Sequence, residues 1–227
     1  MPEVKKWSMD VRMSFEKTGM AKFISHLDTV RCITRSMKRA CVPIWFTEGF
    51  NPHAFLTFAM PLSLGFESLC ETVDFRLTEE VDLNELAEKI NDALPVDITV
   101  KEIYVYNTSP NEIRWAEYKI IFNNPDKKLL ENAEKVLSAD EILVLKKGKQ
   151  GRRKVEKEVN IREHIKSSEM LEENGKLVLN TVLSSGTSIN INPMLLIGAL
   201  VKDTNTDEQD VDIIKVQSYN ENMEIFK

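Results

Sequence analysis

Ser25, His26 and Asp28 have the residue types of a hydrolytic triad and stand close together in the sequence. Consecutive residues point in different directions, so Ser25 and His26 are badly placed for the hydrogen bond that joins nucleophile and base. Helix capping explains two of the three, because serine is a favoured N-cap residue and an acid three positions later completes a capping-box spacing. We therefore assign no catalytic residue here, and His26 is left as a structural histidine, a polar contact or a proton donor.

A row of cations follows on the predicted helix. Arg31, Arg35 and Arg39 recur every four residues, and Lys38 stands beside them. At the helical rise per residue the row extends about 12 Å, roughly two phosphate spacings. Arginine binds phosphate through a planar, bidentate fork, so the row is a candidate nucleic-acid-binding face. A solvated helix face, or pairing with acids of the same chain such as Glu67 and Glu71, is the alternative.

The segment from Glu48 to His53 is a second candidate. Gly49 permits unusual backbone angles, and Pro52 keeps Asn51 out of helical geometry. A stiff polar loop that carries an aromatic residue is typical of a binding element; a turn in which Asn51 bonds its own backbone is the alternative. One glutamate and two histidines do not have a diagnostic metal spacing, so no metal site is predicted. The motif site comprises His26, Glu48, Phe50, Asn51, His53, Glu67 and Glu71.

The clearest charge cluster lies between positions 146 and 154, where six of nine residues are cationic and two are glycine. This composition predicts a mobile basic loop that follows a phosphate backbone by releasing counterions, without reading bases. An acidic protein partner, or simple solvation of a hairpin tip, is the alternative. The cations are Lys146, Lys147, Lys149, Arg152, Arg153 and Lys154.

The net charge of −6 argues against nucleic-acid binding by the whole surface, but the charge is unevenly distributed. Residues 11–41 contain seven Lys or Arg and two acids, a net charge of +5. Residues 144–166 contain nine Lys or Arg and three acids, a net charge of +6. The remaining residues therefore carry a net charge of −17. Two basic islands on an acidic protein favour localised contact with an anionic partner.

Cysteine and histidine are too few and too scattered for a metal or redox centre. The three cysteines lie at 32, 41 and 70 with no C-x-x-C spacing, and no histidine stands at ligand distance from one of them. An iron–sulfur cluster or a zinc site needs closer grouping. We expect small buried thiols, no disulfide framework and no cofactor.

No apolar run approaches the roughly 20 residues that cross a bilayer, and the first ten residues are polar. These features predict a cytoplasmic protein without membrane association.

The elements of the first half follow the order strand, helix, strand, strand, helix, strand, the ferredoxin-like pattern. Alternation and helical periodicity predict strands at 11–15, 54–59, 69–77 and 98–106, and helices at 26–41 and 82–94.

Polar residues and proline at 107–112 mark a boundary, which divides the chain into lobes 1–110 and 111–227. The second lobe repeats the pattern more loosely around the basic loop. Its predicted strands are 118–122, 142–145, 155–161, 176–183 and 211–217, and its helices 125–137 and 193–201. The predicted fold is α+β, with two tandem ferredoxin-like lobes.

An ordered set of motifs runs through the first eighty residues. It comprises Phe15–Gly19, Phe23–Asp28, Arg35–Ala40, Pro43, Glu48–His53, Pro61–Gly65, Glu67, Ser68 and Glu71. This set resembles the radical SAM-linked proteins, a bacterial family of uncharacterised function. Ala54, Cys41 and Thr47 are mild departures from its pattern. The resemblance implies a radical SAM protein as partner, encoded beside this family or fused to it, and a role in RNA modification or RNA metabolism.

Three functional hypotheses follow. In the first, the chain binds RNA or a ribosome-related ribonucleoprotein and presents it to a radical SAM partner. In the second, it is a docking module for that enzyme, centred on Phe50, without RNA contact. In the third, it is a metal-free RNA-processing enzyme that uses His26 or His53. We favour the first and lean against an enzyme.

Overall fold

The computed structural model describes residues 7–150 and 153–227, with the side chains from 147 to 155 outside the description. The chain divides into two compact units, Met1–Glu112 with Lys227, and Ile113–Phe226.

The first unit is an antiparallel sheet with two helices. Its strands are paired in the order β4-β1-β3-β2. In chain order the elements are β1 (Met9–Lys17), α1 (His26–Arg39), β2 (Leu56–Phe58), β3 (Glu67–Leu77), α2 (Leu83–Ala93) and β4 (Ile98–Val105).

The core of the first unit lies between the helices and one face of this sheet. Alternate residues of β1, namely Val11, Met13 and Phe15, are buried together with Ile33 of α1 and Ile90 of α2. Because side chains alternate across a strand, the intervening residues of β1 belong to the opposite face of the sheet.

The second unit contains a sheet of order β10-β5-β9-β8 and a separate hairpin of β6 with β7. If this hairpin is treated as an insertion after α3, the elements follow the same order as in the first unit. They are β5 (Trp115–Phe122), α3 (Leu129–Leu137), β6 (Leu143–Gln150), β7 (Arg153–Asn160), β8 (Ile165–Glu173), β9 (Lys176–Ser184), α4 (Pro193–Val201) and β10 (Val211–Tyr219).

The α+β class is confirmed, with three corrections to the elements. Helix α1 ends at Arg39 and not at Cys41, whose φ of 52° is left-handed. The prediction of a basic loop is wrong for residues 146–150 and 153–154, which belong to strands. Gly151 and Arg152 lie outside the described residues. Strand β8 was missed because its sequence alternates poorly, and pairing with β9 defines it.

No helix within 7–150 and 153–227 has both the length and the apolar character required to cross a bilayer.

Candidate nucleic-acid interface

Ser25 caps helix α1, as predicted. Its Oγ accepts a hydrogen bond from the Asp28 amide at 3.2 Å and donates one to the Asp28 carboxylate at 2.7 Å. The hydrogen bond from Ser25, followed by that from Arg31, lowers the pKa of Asp28. His26 is exposed in the first turn, and its ring meets that of Phe58 edge-on at 5.2 Å between centroids. The residues of the apparent triad therefore serve the helix terminus.

The predicted basic face of α1 is largely available to solvent. Arg31 is exposed and donates to Asp28 at 3.0 Å. Arg35 is exposed and has no hydrogen bond or ion pair with another described residue. Lys38 is exposed, with its ammonium 5.6 Å from the ring centroid of Phe46. We call Arg31, Arg35 and Lys38 the α1 cationic face.

Arg39 has a different role from its neighbours. Its Nη2 donates to the carbonyl of Ala93 at 2.5 Å and to Ser36 Oγ at 3.0 Å. Because Ala93 is the last residue of α2, Arg39 satisfies a carbonyl that the helix itself leaves unpaired. This side chain ties α1 to α2, and much of its hydrogen-bonding capacity is already used.

The predicted alternative of pairing with acids of the same chain occurs in part. Arg31 pairs with Asp28 at 3.0 Å, whereas within the described part of the chain no cation of the row pairs with Glu67 or Glu71. Glu67 instead pairs with Lys22 at 3.2 Å, and Glu71 accepts from Ser68 at 2.8 Å. The α1 cationic face thus has few internal counter-charges.

The loop from Thr47 to His53 is closed by its end residues. The Thr47 amide donates to the His53 carbonyl at 2.8 Å, and the His53 amide donates to Thr47 Oγ1 at 3.1 Å. His53 Nδ1 lies 3.0 Å from Thr47 Oγ1 and 3.1 Å from the Asn51 carbonyl oxygen. The Asn51 side chain has no hydrogen bond within the described residues, so the predicted self-bonded turn is not formed.

These bonds fix a short turn whose polar side chains face solvent. Glu48, Asn51 and His53 are exposed, and the Phe50 ring is fully exposed at the tip. The φ of Gly49 is 119°, which side-chain-bearing residues rarely adopt. A fixed turn that presents an unburied aromatic ring is suited to contact with a partner.

A buried polar cluster contains Lys17 and the motif residue Glu71. Lys17 is 2% exposed and donates to the Ile24 carbonyl at 3.1 Å, while Glu71 is also buried. Burial lowers the pKa of Lys17, and the Glu71 carboxylate partly offsets this effect. Lys17 was missed by the sequence analysis, although it occupies a core-facing position in the alternation of β1 and that signal was available.

The cavity beside this cluster is too small for a substrate. Its volume is about 10 Å³, and its lining includes Lys17, His26, Phe58 and Glu71. This volume is at the lower limit for a single water molecule. The bond from Lys17 to Ile24 joins β1 to the end of the 3₁₀ turn Gly19–Phe23.

The remaining predicted cations lie on the β6–β7 hairpin. Lys146 is opposite Lys157, and both are exposed. The backbone register also pairs Lys147 with Glu156, Lys149 with Lys154, and Gln150 with Arg153. The two strands therefore hold most of the basic segment in an extended ribbon.

No group of three His, Cys, Asp or Glu residues with metal-binding geometry occurs in the described ranges. Cys32 and Cys70 are half-buried and Cys41 is exposed, so the prediction of buried thiols is wrong for Cys41. Cys41 follows the end of α1, and its Sγ lies 3.9 Å from the Arg39 carbonyl oxygen.

The fold and these surfaces define an α+β protein with cations displayed on a helix and on a hairpin. The chain belongs to the bacterial family described as "uncharacterized protein conserved in bacteria (DUF2344)", whose model matches residues 11–193. No curated protein matches the sequence.

Two solved structures are similar to this chain at low identity. A chain of a Cbf5-Nop10-Gar1 complex is 8% identical with a TM-score of 0.48, covering 95% of this chain and 54% of that chain. The present chain thus spans about half the length of that relative. An unknown protein from Galdieria sulphuraria is 10% identical with a TM-score of 0.27, covering 92% and 98% of the two chains.

Proposed function

We propose that this protein is an RNA-binding accessory protein of a radical SAM enzyme. It binds structured RNA or a ribonucleoprotein through the α1 cationic face and the β6–β7 hairpin, and it presents that RNA to the enzyme in the cytoplasm. The observation that carries the proposal is the α1 cationic face itself, because three exposed cations lie on one helix with a single acidic partner, Asp28.

The spacing of the three cations suits a phosphate backbone. Residues four and three apart lie next to each other on one side of a helix, so Arg31, Arg35 and Lys38 present their charges in one direction. Arg35 keeps its whole fork for an external ligand, since no described residue binds it. Each phosphate neutralised contributes about −0.7 to the slope of log K against log salt for single strands, so three contacts give a slope of about −2.

The hairpin supports the same proposal from a different element. Lys146 and Lys157 stand directly across the strands, and like charges in that position are destabilising. A bound anionic partner would screen the repulsion between the two lysines. A hairpin with only a structural role would gain no stability from two lysines at these positions. Because Lys146 and Lys157 are exposed, a polyanion can reach both.

The radical SAM connection and the tandem ferredoxin-like architecture are the finer parts of the proposal. The strand pairing within each unit supports the ferredoxin-like architecture when the hairpin is treated as an insertion in the second. The ordered motifs between Phe15 and Glu71 support the partner.

The test compares RNA binding by the wild type with binding by two charge-matched variants. The first is Arg31→Gln/Arg35→Gln/Lys38→Gln. The control is Lys89→Gln/Lys101→Gln/Lys128→Gln, which removes the same charge from exposed positions elsewhere. Total cellular RNA is titrated at low and at physiological salt, and the bound RNA is sequenced.

We expect steeply salt-dependent binding, weakened at least tenfold in the α1 variant and little changed in the control. Absence of binding at low salt, or equal weakening in both variants, overturns the proposal.

A second candidate function is docking of the radical SAM enzyme without RNA contact. The fully exposed Phe50 ring on its fixed turn favours it, because apolar anchors of this kind are frequent at the centre of interfaces. The test is co-purification of the radical SAM enzyme with the wild type and with Phe50→Ser. Val96→Ser is the matched control, since Val96 is an exposed apolar residue after α2. Loss of the enzyme with Phe50→Ser alone supports docking, and retention with both variants refutes it.

A further inference from the structure

The sheet face opposite the helices of the first unit carries two cross-strand ion pairs. Asp10 of β1 is opposite Arg76 of β3, and Arg12 is opposite Asp74. Opposite charges at directly facing positions stabilise a strand pair. The alternation places acid beside base along each strand, so these four side chains have no formal net charge.

Arg12 is fully committed to internal contacts. Its side chain is 0% exposed, and it donates to both carboxylate oxygens of Asp74, at 2.5 and 2.8 Å. It also donates to Thr108 Oγ1 at 2.8 Å and to the Thr108 carbonyl at 3.0 Å. The Tyr106 ring lies over its guanidinium at 4.3 Å.

Arg76 also lies in a network of contacts, but only its Nε donates a hydrogen bond. Its Nε donates to Asp10 at 2.9 Å. The guanidinium carbon lies 3.7, 4.2 and 5.3 Å from the ring centroids of Trp7, Phe55 and Trp45. Neither terminal nitrogen, Nη1 or Nη2, forms a hydrogen bond or ion pair with a described residue. A pre-positioned fork with two uncommitted donors is therefore present.

This fork borders an open cleft. Arg76 is 25% exposed on its side chain and lines a space of about 510 Å³. Sites for small molecules occupy about 300–1,000 Å³, so a nucleoside fits this volume. The cleft is also lined by Phe55, Thr57, Asp74, Tyr106 and Ser109.

The charge balance selects the chemistry of the ligand. An oxyanion that reaches Arg76 also meets the carboxylates of Asp10 and Asp74, which repel it. A neutral planar group with two adjacent acceptors can accept hydrogen bonds from the Arg76 guanidinium without this electrostatic repulsion. Phe55 and Tyr106 also line the cleft, and bases stack on aromatic rings of this kind. A nucleobase therefore fits better than a phosphate.

Guanine is the base whose edge matches an arginine fork. Its O6 and N7 are neighbouring acceptors, whereas adenine presents one acceptor beside an amino donor. We propose that the cleft bordered by Arg76 binds an unpaired guanine through O6 and N7. The inference rests on the proposed function, since the guanine belongs to the RNA that the α1 cationic face holds by its phosphates. Base selection is thus assigned to the sheet and phosphate contact to the helix.

The test uses ligands that differ in single acceptor atoms. Wild-type protein is titrated calorimetrically with GMP, 7-deaza-GMP, IMP, AMP and inorganic phosphate. We expect GMP and IMP to bind alike, since both keep O6 and N7. Both 7-deaza-GMP and AMP are expected to bind at least about tenfold more weakly, because one good bidentate pair is worth this much discrimination. Equal binding of GMP and 7-deaza-GMP, or binding of phosphate as tight as that of GMP, overturns the inference.

Two variants test the assignment to Arg76. Arg76→Lys keeps the charge and loses the fork, so the preference for GMP over 7-deaza-GMP should disappear. Lys89→Gln lies on α2, outside the cleft, and should leave GMP binding unchanged. Near-ultraviolet circular dichroism of Trp7 and Trp45 shows whether Arg76→Lys is folded. If it is not, the ligand series on the wild-type protein still tests the inference.

A final pair of ligands distinguishes an RNA base from a free nucleotide. A single-stranded hexanucleotide with one guanine among uridines is compared with its 7-deazaguanine counterpart. Weaker binding of the counterpart supports the inference; equal binding of the two overturns it for RNA. The triple α1 variant should lose RNA and keep GMP, so failure of the guanine site and failure of the proposed function give different results.

Discussion

Removal of Asp74 should destabilise the first unit far more than removal of an exposed acid. Arg12 has no solvent exposure and donates two charge-assisted hydrogen bonds to Asp74. Hydrogen bonds to charged groups contribute about 1.5–3 kcal/mol each, and one-sided removal of a buried pair costs about 3–5 kcal/mol. We therefore expect Asp74→Ala to lower the free energy of unfolding by about 3–5 kcal/mol.

The assay is equilibrium unfolding in urea, followed by tryptophan fluorescence in a Trp115→Phe background. Trp7 and Trp45 then report on the first unit alone. Glu85→Gln is the control, since Glu85 and Lys89 are exposed and 3.8 Å apart, and such pairs contribute at most about 0.5 kcal/mol.

The double variant Arg12→Met/Asp74→Leu provides the sharper test. It removes both charges together, so no uncompensated charge remains buried, and it should cost less than Asp74→Ala. A loss for Asp74→Ala no larger than that for Glu85→Gln, or a double variant that costs the sum of its single changes, would refute this account of the pair.

The other predictions concern pH, capping and the roles of two arginines. Burial raises the pKa of Tyr104 from 10.0 to about 12 against the opposing effect of a nearby arginine. The folded state therefore keeps a proton that the unfolded state has lost, stability falls between pH 10 and 12, and Tyr104→Phe should flatten that fall in urea titrations. Ser25→Ala should cost about 1 kcal/mol in thermal unfolding, and Ser25→Asp should preserve the cap. Arg39→Ala should lower stability by about 1 kcal/mol in urea through loss of its bond to Ala93, whereas Arg35→Ala should change it by less than about 0.5 kcal/mol while weakening RNA binding.

The sequence was sufficient where short-range rules decide the structure. Ser25 as the cap of α1, the core-facing alternation of β1 and the α+β class all follow from local periodicity and backbone hydrogen bonding. It was insufficient where a partner strand defines an element. Strand β8 has weak alternation, and the basic segment was taken for a loop because its composition, rich in lysine and glycine, hides the pairing of β6 with β7.

The candidate site shows the same division. Spacing alone predicted a basic row on α1, but only the tertiary structure separates Arg35, which no described residue binds, from Arg39, which is tied to α2. Spacing also singled out the turn that carries Phe50, and its exposure became known only from the fold.

The Arg76 cleft could not be predicted from the sequence, because the residues that line it come from distant segments of the chain. Asp10 and Arg76 are 66 residues apart and meet only through the register of β1 with β3. The sequence by itself indicated where the helices lie, which positions of β1 face the core and where positive charge accumulates, since these depend on neighbours along the chain. The tertiary structure alone decided which charges are neutralised and which donors stay free, since these depend on strand register and on packing between distant elements.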